Sequence, residues 1–123
     1  MPTHSWNLDD IYYQFIKNGL KIYEIRVLDD KRKLIEVGDT ITFGNRHNLQ
    51  VPLLSTKISE IKVYSNFSEA LQDTPLAEVL PNVESVQEGL VLYESFPHQE
   101  GTYKEASEKY GVIRFKFDDI NLI

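Results

Sequence analysis

The sequence predicts an α+β fold, with short strands forming a small β barrel around one or two packed helices and further short helices flanking it. Three observations carry that expectation. Leu8, Ile11, Tyr12, Phe15 and Ile16 recur at i, i+3, i+4, i+7 and i+8, the apolar stripe of an amphipathic helix. Tyr23-Ile25-Val27, Ile41-Phe43 and Ile113-Phe115-Phe117 each alternate with more polar residues, the period of half-buried strands. A longer β segment, Val51 to Tyr64, changes phase in its middle, which signals a bulge that bends a strand round a barrel.

The elements follow in order. Asp9 and Asp10 in the first turn of the opening helix and Lys17 in its last turn complement the helix dipole, Asn7 is the expected cap, and Asn18-Gly19 supplies the left-handed residue that ends it. The next strand has Tyr23, Ile25 and Val27 on a buried face and Glu24, Arg26 and Leu28 on the other. Asp29 to Lys33, an unbroken run of charge, reads as an exposed hairpin or loop tip. Val37-Gly38-Asp39 turns the chain into a strand at Thr40 to Phe43. In the long β segment Leu54, Thr56 and Ile58 share one face and Ile61 and Val63 the other, which places the bulge at Ser59-Glu60. Ser65-Asn66-Phe67 opens a short helix. Asp73 to Gly89 is expected to hold short helices, with Thr74 capping the turn that begins at Pro75. Gly101 to Gly111 forms a last helix, opened by Thr102 and Glu105 at capping-box spacing, and Val112 to Phe117 closes the fold as a strand.

Composition narrows the function. A chain of 123 residues fits one domain spanning 1–123, and 41% hydrophobic with 26% charged residues is the balance of a soluble globular protein. Cysteine is absent, which removes disulfides, thiolate nucleophiles and zinc ribbons. MPTHSWNLDD has neither a basic region nor an apolar run, so no secretory signal is expected; no membrane span is expected either, and the cytoplasm is the expected location. His4, His47 and His98 lack metal-ligand spacing, and no P-loop, G-x-S-x-G or dinucleotide fingerprint occurs, so no metal and no cofactor are expected. The net charge of −6 argues against tracking along a duplex, which requires a basic face, but leaves room for a small cleft that takes a nucleoside, a nucleotide or a short single-stranded RNA.

Residues 15–43, FIKNGLKIYEIRVLDDKRKLIEVGDTITF, contain Gly19, Lys21, Glu24 and Arg26 in a G-x-K-x-x-E-x-R arrangement, then a charged segment and Gly38-Asp39. Near the other end, Glu108-Lys109-Tyr110-Gly111-Val112 leads into the final strand. This pair of anchors resembles the ASCH group of the PUA-like superfamily, and the resemblance spans nearly the whole chain, with residues 65–100 contributing little. It implies a PUA-like β pseudo-barrel with a cleft beside the first helix, and a role with RNA or its components. One branch of that group is an amidohydrolase that deacetylates N4-acetylcytidine with a lysine, a threonine and a glutamate. Lys21 falls on that lysine, Glu24 stands where that branch has threonine, and Glu100, Glu105 and Glu108 are candidates for the third group, with Glu100 carried forward.

Judged by spacing alone, Lys21 is a solvated residue at the start of a strand, and Glu24 with Arg26 is an exposed ion pair contributing at most about 1 kcal/mol. The resemblance makes Lys21, Glu24 and Arg26 the walls of the cleft. Arg26 offers paired planar donors to a carboxylate or phosphate, Glu24 accepts from an exocyclic amine or acts as a base, and a lysine with a depressed pKa serves as base or nucleophile. Strict alternation places Lys21 on the face of Tyr23, away from Glu24, unless the strand begins after Lys21 or the chain turns at Gly19-Leu20. Lys31 and Arg32 are candidate phosphate contacts, Tyr103 is the preferred stacking residue over Trp6 and Tyr110, and His4 enters from the first strand. Binding of a nucleoside or RNA end is the leading reading. Deacylation of a modified nucleoside and a protein-interaction adaptor are the alternatives.

Overall fold

The computed structural model describes residues 2–98 and 101–123. It begins with β1 (Thr3–Leu8), α1 (Asp10–Lys17) and β2 (Tyr23–Val27), followed by a single 3-10 turn at Arg32–Leu34, β3 (Thr40–Asn45) and β4 (Leu54–Tyr64). Three helices follow, α2 (Phe67–Gln72), α3 (Leu76–Val79) and α4 (Val86–Glu94); then a two-strand hairpin, β5 (Pro97–His98) and β6 (Gly101–Thr102), leads into α5 (Tyr103–Tyr110). β7 (Val112–Phe117) and β8 (Asn121–Leu122) close the chain.

The main sheet is mixed. Its path runs β1-β3-β4-β7-β2, with β8 attached to β4. β1 runs parallel to β3, and the other pairs are antiparallel. The first part of β4 pairs with β3 and the second with β7, and the register shifts between Ile58 and Glu60. The bulge falls where the phase change predicts it, and it lets one strand serve two differently oriented halves of the sheet. The result is a PUA-like half-barrel in an α+β domain; among the described residues the two ends of the strand path, β1 and β2, each leave a free edge.

Two cores lie on opposite faces of the sheet. Trp6, Phe43, Phe115 and Phe117 fill the concave side with Leu54, Ile58 and, from α1, Tyr13 and Ile16. Ile25, Val27 and Val112 meet Phe67, Leu71, Val79, Tyr93 and Tyr103 from the helices on the other side. Full burial of each such side chain contributes roughly 1.5–3 kcal/mol.

Several expectations are corrected. β1 extends through Asn7 and Leu8, so the helix cap is Asp9. The helix also turns further inward than its stripe suggests: Tyr13 is buried and Ile11 is exposed. β2 is buried on both faces: on its polar side Glu24 meets the Tyr93 hydroxyl, and Arg26 meets the Tyr103 hydroxyl and the Trp6 ring. In the run Asp29 to Lys33, Asp30, Lys31 and Lys33 are exposed as expected of a loop tip, but Asp29 and Arg32 are not. Asp29 is buried and accepts from Arg32 through its backbone N–H and its guanidinium, the latter at 2.6 Å. Thr74 does not cap α3; its hydroxyl donates to the Ala70 carbonyl, and Pro75 occupies the cap position. Val63 is exposed. The Thr102 cap, by contrast, forms as expected, accepting from the Glu105 N–H.

Candidate functional site

A cavity of about 360 Å³ opens in the gap between the free edges of the half-barrel. Leu8 and Asp9, where β1 passes into α1, form one side, and Glu24, Ile25 and Arg26 of β2 form the other. Tyr12 of α1, Tyr93 of α4 and Tyr103 of α5 supply aromatic wall, and Arg46 stands at the rim. Arg26 spans the gap, with its guanidinium lying over the Trp6 ring of β1 at 4.9 Å.

Local sequence explains how Lys21 and Glu24 meet. Gly19 takes φ 77°, a conformation that L side chains resist, and turns the chain out of α1. β2 starts only at Tyr23, so Lys21 lies outside the strand and is free of its alternation. The ammonium of Lys21 then reaches within 3.5 Å of the Glu24 carboxylate. It also donates to the carbonyls of Tyr23 and Val79 at 2.7 and 2.6 Å. A protonated amine has three N–H donors, and here it faces three acceptors.

Glu24 is 5% exposed and sits at the centre. One carboxylate oxygen accepts from the Ile25 N–H at 3.0 Å and the Tyr93 hydroxyl at 3.3 Å, and the other meets the Arg26 guanidinium at 3.4 Å. Burial pushes this carboxyl up, but the charges of Lys21 and Arg26 together hold it below its ordinary range. Burial draws Lys21 down, opposed by Glu24. Arg26 is affected by burial in the same sense, but Glu24 and the Tyr103 hydroxyl outweigh it and raise its pKa. The Tyr93 hydroxyl is pushed well up by burial and by the adjacent carboxylate, so it remains a neutral donor.

Aromatic packing fixes the two tyrosines that touch this array. Phe67 stacks against Tyr93 with rings 10° from parallel and against Tyr103 at 7°. Phe96 closes edge-on against both. The Tyr103 hydroxyl accepts from Arg26 at 3.4 Å.

Of the residues singled out from the sequence, Lys21, Glu24, Arg26 and Tyr103 converge on this cavity. Lys31 and Arg32 do not line it; they border a separate depression beside His98, which has Pro97 and Tyr103 in common with the cavity. His4 is turned to Asp39, 2.9 Å from its carboxylate, and is not among the lining residues. Glu105 and Glu108 are exposed on α5 and do not line the cavity, and Glu100 lies outside the described residues. Among the described residues the second carboxylate at the cavity is Asp9, 3.2 Å from Arg46. No group of three or more metal-ligating side chains occurs among the described residues. Tyr12, Tyr93, Asp9 and Arg46 were not singled out. The tyrosines gave one signal: a ring in an apolar stripe carries a hydroxyl that needs a partner when buried.

Fold and site together define an α+β half-barrel domain with an ionised cavity between its sheet edges. The chain belongs to the ASCH domain family, which matches residues 7–121. It is similar to the crystal structure of hypothetical protein PH0355, with 34% identity over 98% of this chain and 99% of that one and a TM-score of 0.76. It is also similar to the solution structure of protein PF0455 from Pyrococcus furiosus, with 30% identity, 98% and 97% coverage and a TM-score of 0.70. ZmASCH from Zymomonas mobilis, solved as a tyrosine-to-phenylalanine mutant, shares the fold at 14% identity, with 100% of this chain and 73% of that one covered and a TM-score of 0.64. No curated protein matches the chain. No helix among the described residues is long and apolar enough to cross a membrane.

Proposed function

We propose that the cavity binds a nucleobase carried by a nucleoside, a nucleotide or an end of single-stranded RNA, in the cytoplasm. The observation that supports this most is the Lys21–Glu24–Arg26 array at the base of a cavity with tyrosine walls. Cavities of a few hundred Å³ with apolar walls and a few convergent polar groups suit small molecules. Glu24 presents a carboxylate oxygen to ring or exocyclic N–H groups, and Arg26 beside it presents donors to ring carbonyl oxygens or nitrogens. That side-by-side pair complements the alternating donors and acceptors on the edge of a base. The phenol rings supply flat apolar surface with polar tips, suited to stacking.

Binding is better supported than deacylation because the Lys21 ammonium is engaged by Tyr23, Val79 and Glu24, leaving no N–H or lone pair aimed at a substrate. The test is an NMR and calorimetric titration with nucleosides, mononucleotides and short single-stranded RNAs, run beside an acylated-nucleoside panel that includes N4-acetylcytidine. Saturable binding is expected, weakened at least about tenfold in Glu24→Gln with circular dichroism unchanged. Turnover of an acylated nucleoside that disappears in a folded Lys21→Ala variant would move the reading to deacylation. No binding and no turnover with any of these ligands would leave the adaptor reading.

A further inference from the structure

The two cations that flank Glu24 are held very differently. Lys21 is 2% exposed and donates at 2.6 and 2.7 Å to carbonyls and toward Glu24. Arg26 makes two side-chain hydrogen bonds among the described residues, both at 3.4 Å, near the outer limit for such bonds. A guanidinium has five N–H donors, so most of those on Arg26 are uncommitted, and its side chain is 17% exposed where it lines the cavity. The charges are also unequal: among the described residues Lys21 and Arg26 face a single carboxylate. The rim does not restore the balance, because Asp9 is taken up by Arg46 at 3.2 Å. Tyr12, Tyr93 and Tyr103 contribute only neutral hydroxyls. Among the described residues the cavity therefore has one more positive charge than negative, and charge in such a place is normally matched.

We infer that the ligand supplies the missing negative charge as a phosphate oxygen bound by the Arg26 guanidinium, so that the site takes nucleotides or phosphate-terminated RNA in preference to neutral nucleosides. The inference rests on the proposed base-binding role and narrows its ligand class. The flat fork of Arg26 matches two phosphate oxygens, and the Trp6 ring supports it at 4.9 Å. Glu24 and the guanidinium N–H that the phosphate leaves over remain available to the base. Lys21 fixes the floor: its bonds hold Glu24 in place and tie β2 to α3 through Val79.

The test compares dissociation constants for uridine and adenosine, their 5′- and 3′-monophosphates, inorganic phosphate, and dinucleotides with and without a terminal phosphate, at one ionic strength. The monophosphates are expected to bind at least about tenfold more tightly than the parent nucleosides. In Arg26→Gln that ratio falls towards one, and Arg26→Lys, which keeps the charge and loses the fork, retains part of it. Dinucleotides show whether the phosphate comes from an RNA end or a free nucleotide: equal enhancement in both is consistent with either source. A ratio below about two in the unaltered protein overturns the inference and leaves base binding intact, and that reading requires no variant to fold. Inorganic phosphate binding as tightly as a nucleotide does the reverse, sustaining the anion site and removing the base. Absence of binding by every probe defeats both.

Discussion

Lys21 and Arg26 carry the same charge beside the same carboxylate, and their surroundings separate their roles. Removing the ammonium in Lys21→Met strands the Tyr23 and Val79 carbonyls and leaves Glu24 with a single cation. Breaking a buried ion pair from one side costs about 3–5 kcal/mol, so a loss of that order is expected in the urea unfolding free energy. Arg26→Gln, which gives up two long bonds and the contact with the Trp6 ring, should lose about 1–2 kcal/mol. Equal losses in the two variants would refute this division. Glu24 makes the site sensitive to acid. Its folded pKa lies below its ordinary value of 4.5, so its contribution to stability is complete above about pH 4.5 and disappears as pH falls through the lower folded value. Denaturant midpoints measured from neutral pH down to pH 3 should therefore drop below that point, and drop less steeply in Glu24→Gln.

At the scale of elements, the site is held by helices that are individually short. α2 spans six residues and α3 only four, too few to be stable alone. They are fixed by packing on the outer face of β2 and β7, and Phe67 is the contact that transmits this order to the cavity. Its ring lies between Tyr93 and Tyr103, whose hydroxyls end on Glu24 and Arg26. Aromatic pairs contribute about 0.5–1.5 kcal/mol each beyond area burial, so Phe67→Leu should lower stability by roughly 1–3 kcal/mol. It should also weaken ligand binding. Ile58→Val, on the opposite face of the sheet, should lower stability by about 0.5–1.5 kcal/mol and leave affinity within about twofold, so calorimetry of both variants separates a positioning role from a general loss of packing.

For the whole molecule, an acidic body surrounds a small cationic cavity. The chain carries −6 overall, and several cations outside the cavity are paired with carboxylates: Arg114 meets Glu60, Lys62 meets Asp73, and Arg32 meets Asp29. Affinity for a ligand therefore depends on a local contact. Each phosphate neutralised on a single strand contributes a slope of about −0.7 to a plot of log affinity against log salt. A slope near that value is expected for a phosphate-terminated dinucleotide, and a slope several times steeper would mean that an extended basic track had been overlooked.

Local periodicity determined much of this fold. The Gly19 turn, the alternation of β2, β3 and β7, the bulge in β4 and the Thr102 cap depend on residues close together in the chain, so each could be read directly. Lys21, Glu24, Arg26 and Tyr103 could be selected as candidates, but their distinct roles could not. The carbonyl that saturates Lys21 lies 58 residues away, the hydroxyl on Glu24 69 residues away, and the hydroxyl on Arg26 77 residues away. Distance in the chain likewise hid Tyr93, Asp9 and Arg46 as members of the site. It also hid the contact between Asp29 and His98, 69 residues apart, beside which Asp29 is buried. Those assignments depend on which groups the free edges at β1 and β2 and the helical layer bring within a few ångströms, and burial there turns an ordinary surface triplet into an ionised cavity.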